Sequence, residues 1–216
     1  MQTAQWIGIK GHPITYTFIQ NQGDKHSLCF MFPGRGYTNH HPLLYFATKI
    51  LLQAQIDVIQ VQYPYHQMAE FQSLDLEKQH EWLSQDMNGL VQTILDQHPY
   101  EEIIFLGKSL GTVPILHTHS KLNSYETAKY ILLTPLIHLE PLYQQMLQME
   151  QKTLCVIGDK DPVYDLTKMN AIRTKPNIQV LVIENGDHSL EIPTDIKQSI
   201  LILKQIMNQI QLFIED

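Results

Sequence analysis

At 216 residues, 44% of them hydrophobic and 17% charged, the chain has an ordinary globular composition and enough length for one sizeable core. A net charge of −7 with no basic run argues against a general affinity for nucleic acid or anionic membrane, so the expected partner is a small molecule. The first eighteen or so residues lack a continuous apolar stretch, and nowhere do about 18 apolar residues follow one another, so neither a secretory leader nor a membrane span is expected.

Trp6-Ile7-Gly8-Ile9 and Ile14-Thr15-Tyr16-Thr17-Phe18 flank Gly11-His12-Pro13 and predict an antiparallel hairpin at a sheet edge. From about residue 28 strand and helix patterns alternate, which predicts a doubly wound α/β architecture with a mostly parallel sheet and helices on both faces. Residues 28–32 form the first of these strands and run into Pro33-Gly34-Arg35-Gly36-Tyr37; residues 57–61 form the next. Leu76, Leu83, Met87, Leu90, Val91 and Ile94 recur at helical spacing and should pack on the sheet. Further strands are predicted at 103–106, 130–133, 153–157 and 178–183, and Ile196, Ile200, Leu203, Met207, Ile210 and Ile214 line a final helix. Core packing accounts for that last stripe more readily than a dimer seam does, and the oligomeric state stays open. Cys29 and Cys155 each fall inside a predicted buried strand and are expected to be core thiols, which suits a reducing cytoplasm.

The apolar run Ile103-Ile104-Phe105-Leu106 leads directly into Gly107-Lys108-Ser109-Leu110-Gly111. A serine that leaves a strand, turns sharply and enters a helix brings neighbouring backbone so close that side chains two positions either way would collide, so glycine is needed at both. The turn leaves the Ser109 hydroxyl exposed above the strand end and aims the Leu110 amide at a developing oxyanion. The helix expected over residues 112–120 tolerates Pro114 in its first turn.

A serine hydroxyl is a weak nucleophile at neutral pH and requires a histidine to take its proton and a carboxylate to orient that histidine. Both candidates follow later strands. Gly158-Asp159-Lys160-Asp161-Pro162-Val163 offers Asp161, with Asp159 as a rival and Asp165 and Asp187 as spectators that invite misassignment, and Glu184-Asn185-Gly186-Asp187-His188-Ser189 offers His188. In an open parallel sheet the loops beyond the carboxyl ends of the strands share one rim, where ligands bind.

In this order, Ser109, Asp161, His188, the chain resembles the α/β-hydrolase superfamily, whose nucleophile elbow is followed by an acid and a histidine on the loops after the last two strands. The resemblance covers nearly the whole chain, and the family's Gly-x-x-Asp spacing selects Asp161. It also implies a second oxyanion amide after the early strand. Many members carry His-Gly where this chain has Pro33-Gly34, so the amides of Arg35 and Gly36 both remain candidates, with Arg35 favoured by its place after the first glycine. A cap domain in this superfamily usually interrupts the sheet between the elbow and the acid strand. Only residues 134–152 lie there, with a helical-looking stretch at 142–149, so one domain over 1–216 without a separate cap is expected, its site shallow or roofed by loops such as Tyr63-Pro64-Tyr65-His66 and the residues around His138.

The implied activity is a cap-less serine hydrolase cleaving a carboxylic ester or thioester of a small acyl substrate, with no metal or organic cofactor. Peptidase and acyltransferase chemistry use the same groups, and a non-catalytic binding protein and a lyase are rivals on the same fold. Serine at the elbow disfavours a dehalogenase, which needs a carboxylate there. Eleven histidines invite a metal reading, but His40-His41 and His117-Thr118-His119 have no acidic or cysteine partners at ligand spacing. Lys108 and Arg35 flank the site, where they could attract an anionic acyl group, although solvated or ion-paired side chains are the favoured reading.

Overall fold

The computed structural model describes residues 1–21, 26–119 and 127–216. In chain order they form β1 (Gln2–Ile7), β2 (Pro13–Ile19), β3 (Ser27–Phe32), α1 (Pro42–Gln53), β4 (Asp57–Gln62), a 3-10 turn at Tyr65–Gln67, α2 (Ala69–Gln72) and α3 (Leu76–Gln97). There follow β5 (Glu102–Lys108), a 3-10 turn at Ser109–Gly111, α4 (Thr112–His119), β6 (Lys129–Leu133), α5 (Glu140–Gln148), β7 (Thr153–Gly158), α6 (Leu166–Arg173), β8 (Ile178–Ile183) and α7 (Ile196–Glu215). Ser120, where the fourth helix was expected to end, lies outside the described residues.

The strands make one eight-stranded sheet in the order β1-β2-β4-β3-β5-β6-β7-β8. β1 and β2 pair antiparallel, with Gln2 opposite Phe18, and β2 joins β4 antiparallel; every later pairing is parallel. The expected edge hairpin is therefore present, but its first strand starts at Gln2 and stops at Ile7. The Ile9 amide donates to Asp86 Oδ1 on α3 at 2.7 Å, which pulls the chain out of the ladder at that point.

Alternation along the buried strands divides the core in two, because successive side chains point to opposite faces. Phe30, Phe32 and Phe105 meet α3, α4, α5 and α6 on one face, while Cys29, Met31, Ile104 and Leu106 meet α1 and α7 on the other. Phe30, Phe105 and Tyr130 stack across three neighbouring strands with centroids 5.6 Å apart at each step. Cys29 and Cys155 are fully buried free thiols, and burial pushes both upward, Cys155 to about 12.

Helix faces depart from expectation at two N-termini. Leu76 is exposed in the first turn of α3, and on α7 Ile196 and Ile200 are exposed while Ile202, Ile206, Ile210 and Phe213 are buried. The buried stripe of α7 thus lies partly one position round from the expected one, and it covers the sheet only from the second turn onward. Behind the loop after β4, the Tyr65 hydroxyl donates to Asp86 Oδ2 at 2.6 Å, so one buried carboxylate holds both the hairpin turn and that loop.

His80 is buried on α3, and its pKa is lowered from 6.5 to about 4, chiefly by burial and then by the charges of His117 and His138. Between those values the unfolded chain binds a proton that the folded chain excludes, so stability is full above about 6.5 and is lost as pH falls toward about 4. Thermal denaturation should show the melting temperature dropping across that window, with a smaller drop in His80→Leu.

Candidate active site

β5 is buried from Ile103 to Lys108 and delivers Ser109 to the carboxyl edge of the sheet. Ser109 itself adopts a left-handed φ of 52°, a conformation costing a non-glycine residue about 1–3 kcal/mol and held only where the surroundings enforce it. The surroundings here are tight. A Cβ on Gly111 would lie 2.0 Å from the Phe32 carbonyl oxygen, and one on Gly107 would lie 2.5 Å from the Gly111 carbonyl oxygen. Thr112 closes the turn by donating from Oγ1 to the Ser109 carbonyl at 2.7 Å.

The loops after β7 and β8 meet by equally close backbone contact, since a Cβ on Gly158 would lie 2.0 Å from the Gly186 carbonyl oxygen. The contact brings the loops' side chains together. His188 Nδ1 lies 2.7 Å from Asp161 Oδ2, and His188 Nε2 lies 2.8 Å from Ser109 Oγ. The Asp161 side chain is fully buried and also accepts from the Val163 amide at 3.0 Å, which fixes its rotamer. The rival carboxylates have other partners: Asp159 accepts from the Asn185 amide, Asp165 caps α6 through the Lys168 amide, and Asp187 accepts from the Ser189 and Glu191 amides. His138 is largely exposed; partial desolvation of its ring and then the charges of Lys168 and His188 lower its pKa, against the opposing pull of Asp161.

The chain after β3 folds into a four-residue turn closed by the Tyr37 amide on the Gly34 carbonyl at 3.3 Å, with Gly36 at φ 73° in the third position. This turn lies against the serine, because a Cβ on Gly34 would be 3.3 Å from Ser109 Cβ and 3.1 Å from the Lys108 carbonyl oxygen. Arg35, one residue on, and Leu110, one residue after the serine, both line a cavity of about 570 Å³. The loop after β4, the stretch expected to roof the site, also lines the cavity through Tyr63, Pro64, Tyr65 and His66.

Lys108 corrects the sequence reading. Its side chain is neither solvated nor, among the described residues, ion-paired, and it does not line the cavity; the residue is 1% exposed, and Nζ donates at 2.6 Å to Thr134 Oγ1 and at 2.6 Å to the His188 carbonyl. The Tyr37 ring lies 5.2 Å from the same nitrogen. Burial lowers its pKa from 10.5 to about 8, against the opposing pull of Asp161 and Asp187. The sole sequence signal was a cation ending an otherwise apolar strand; Thr134, its partner, carried none. Arg35, by contrast, is exposed at the cavity.

No group of three histidine, cysteine or acidic side chains among the described residues is placed to hold a metal, and the side chains of Thr118 and His119 lie outside those residues. Among the described residues no helix is long and apolar enough to cross a membrane.

Residues 26–215 match the family model described as an Alpha/beta hydrolase domain. No curated protein matches the chain. Among solved structures it resembles Est1E from Butyrivibrio proteoclasticus at 12% identity and a TM-score of 0.73, with 99% of each chain covered. It resembles an α/β serine hydrolase without a lid from Xanthomonas campestris at 13% identity and a TM-score of 0.72, covering 99% of this chain and 93% of the other. A Pyrococcus furiosus esterase matches at 12% identity and a TM-score of 0.72, covering 99% and 90%. At such identities the likeness establishes the shared fold.

Two glycine substitutions test the close packing that assembles the site. Gly111→Ala and Gly158→Ala each drive a methyl into backbone, and each should lower stability by more than about 2 kcal/mol in denaturant unfolding, whereas Gly11→Ala, with open space around its Cβ position, pays only for its positive φ.

Proposed function

We propose that this chain, which belongs to the alpha/beta hydrolase family, is a serine hydrolase that cleaves carboxylic esters or thioesters through an acyl-enzyme on Ser109. The observation that carries the reading is the His188 ring bridging Ser109 Oγ at 2.8 Å and Asp161 Oδ2 at 2.7 Å. A hydroxyl, an imidazole and a buried carboxylate in series are what activating a serine demands.

Ser109 Oγ attacks the substrate carbonyl carbon while His188 Nε2 takes its proton. Asp161 accepts from Nδ1–H, which fixes the tautomer and stabilises the imidazolium. The carbonyl oxygen, now negative, is held by the backbone amides of Leu110 and Arg35; losing one such donor typically costs about 10² to 10³ in turnover. His188 then protonates the leaving group, the carbonyl re-forms as an ester on Ser109, and water activated by the same ring releases the acid.

The cavity supports an assignment of substrate halves. A leaving group must sit beside His188 Nε2 to receive its proton, yet the residues lining the cavity come from β2, the segment after β3, the end of β4 and the loop that follows it, and Leu110, and none from the Asp161 or His188 loops. The acyl half therefore occupies the cavity. Its volume of about 570 Å³ suits a group well above acetyl in size. We further propose one domain without a separate cap, consistent with the single helix α5 between β6 and β7. A cytoplasmic setting fits the two buried free thiols, and the net charge of −7 fits a small-molecule rather than a nucleic-acid partner.

A fluorophosphonate probe should label the wild-type protein once, at Ser109, and leave Ser109→Ala unlabelled; labelling that survives the substitution puts the nucleophile elsewhere. On an ester panel with a constant leaving group, kcat/KM should rise from acetyl to bulkier acyl groups. Asp161→Asn should lower kcat by about 10⁴ with little change in folding, because the imidazole then takes the wrong tautomer.

A further inference from the structure

We infer that Lys108 is a positioning residue whose ammonium clamps the backbone carbonyl of His188, keeping the imidazole in line between Asp161 and Ser109. The inference rests on the hydrolase reading above and concerns how its histidine is held.

The geometry is unusual for a lysine. Nζ is sealed from solvent, and its hydrogen-bond acceptors are neutral: the Thr134 hydroxyl and the His188 carbonyl, both at 2.6 Å. No carboxylate lies within ion-pair distance of it among the described residues. A buried cation without a contacting counter-charge costs stability, and an apolar side chain of similar length would fill the same space more cheaply. The cation's benefit must lie elsewhere, and its bonds say where. Lys108 precedes Ser109 in the chain and grips His188, so one side chain couples the backbone of the attacking residue to the backbone of its base. The ring of His188 is 38% exposed, so packing alone holds it loosely.

The groups facing Nζ from the surrounding elements are the Tyr37 ring after β3, Thr134 after β6, Asp161 after β7, and Asp187 and His188 after β8. With burial bringing its pKa to about 8, Lys108 loses its proton inside the ordinary assay range. The neutral amine keeps two N–H donors but loses charge assistance, which roughly halves the strength of each bond. Activity should therefore decline on an alkaline limb near pH 8. Stability moves the other way. Between about 8 and 10.5 the unfolded chain binds more protons than the folded one, so the folded state gains stability as pH rises through that window. A lysine with a structural role alone does not produce opposed pH trends in activity and stability.

The test pairs Lys108→Met with Thr134→Val. Lys108→Met should keep or raise the melting temperature while lowering kcat by about 10- to 100-fold at little cost in KM, the scale expected when a reacting group is displaced by about an ångström. Its alkaline limb should vanish. Thr134→Val removes one acceptor and should move the limb to lower pH in an otherwise folded, active protein. A readout free of substrate is the downfield proton resonance of the His188–Asp161 hydrogen bond, which should broaden or disappear in Lys108→Met. Wild-type kcat in Lys108→Met, a kcat loss matched by a fall in melting temperature, an unmoved limb in Thr134→Val, or an unchanged resonance would each overturn the inference. Failure of Ser109 to label would instead overturn the hydrolase reading, and the resonance would still report on the clamp.

Discussion

One imidazole ring, that of His188, joins three segments that lie far apart in the chain. It bonds to Ser109, 79 positions away, and to Asp161, 27 positions away. The meeting is a consequence of parallel strands: β5, β7 and β8 all end at the same sheet rim, so the residues that follow them are neighbours whatever their separation in sequence. Backbone contacts then set the distances. Gly111 against Phe32 brings the elbow to the turn after β3, and Gly158 against Gly186 brings the acid loop to the histidine loop, both at separations that exclude a Cβ.

The site is also where the protein spends stability. Of the five described non-glycine residues with positive φ, four are Ser109, Thr134, Asn185 and Leu190, on the elbow, after β6 and in the loop around His188. Lys108, buried without a contacting counter-ion, belongs to the same region. Strain of about 1–3 kcal/mol per residue persists only where a rigid scaffold supports it. Two buried clusters, one on each face of the sheet, supply that support, and the aromatic stack from Phe30 through Phe105 to Tyr130 runs directly beneath the elbow strand.

Much of this was legible in the residues because backbone sterics write themselves into composition. A glycine two places either side of a serine, after an apolar run, marks a turn too crowded for side chains, and fully apolar strands mark burial on both faces. The choice of Asp161 over Asp159 came from spacing, and the structure brings its carboxylate to the ring while the rivals hold backbone amides. Lys108 was misread because a charged side chain beside a site suggests solvent, an ion pair or a ligand, whereas its direction depends on the hydroxyl of Thr134, a residue whose sequence context is silent. The start of α7 was misread for a related reason: periodicity reports an apolar stripe but not how much of it finds a packing partner, and Ile196 and Ile200 stay exposed.

The most direct test of the proposed mechanism is to quench a reaction with an activated bulky acyl ester within its first turnover and locate the added mass by peptide mass spectrometry. A single acyl group on the peptide containing Ser109, appearing before steady-state product and decaying with hydrolysis, is the predicted result. Product release with no acylated intermediate on that peptide, at an undiminished rate in Ser109→Ala, would contradict it.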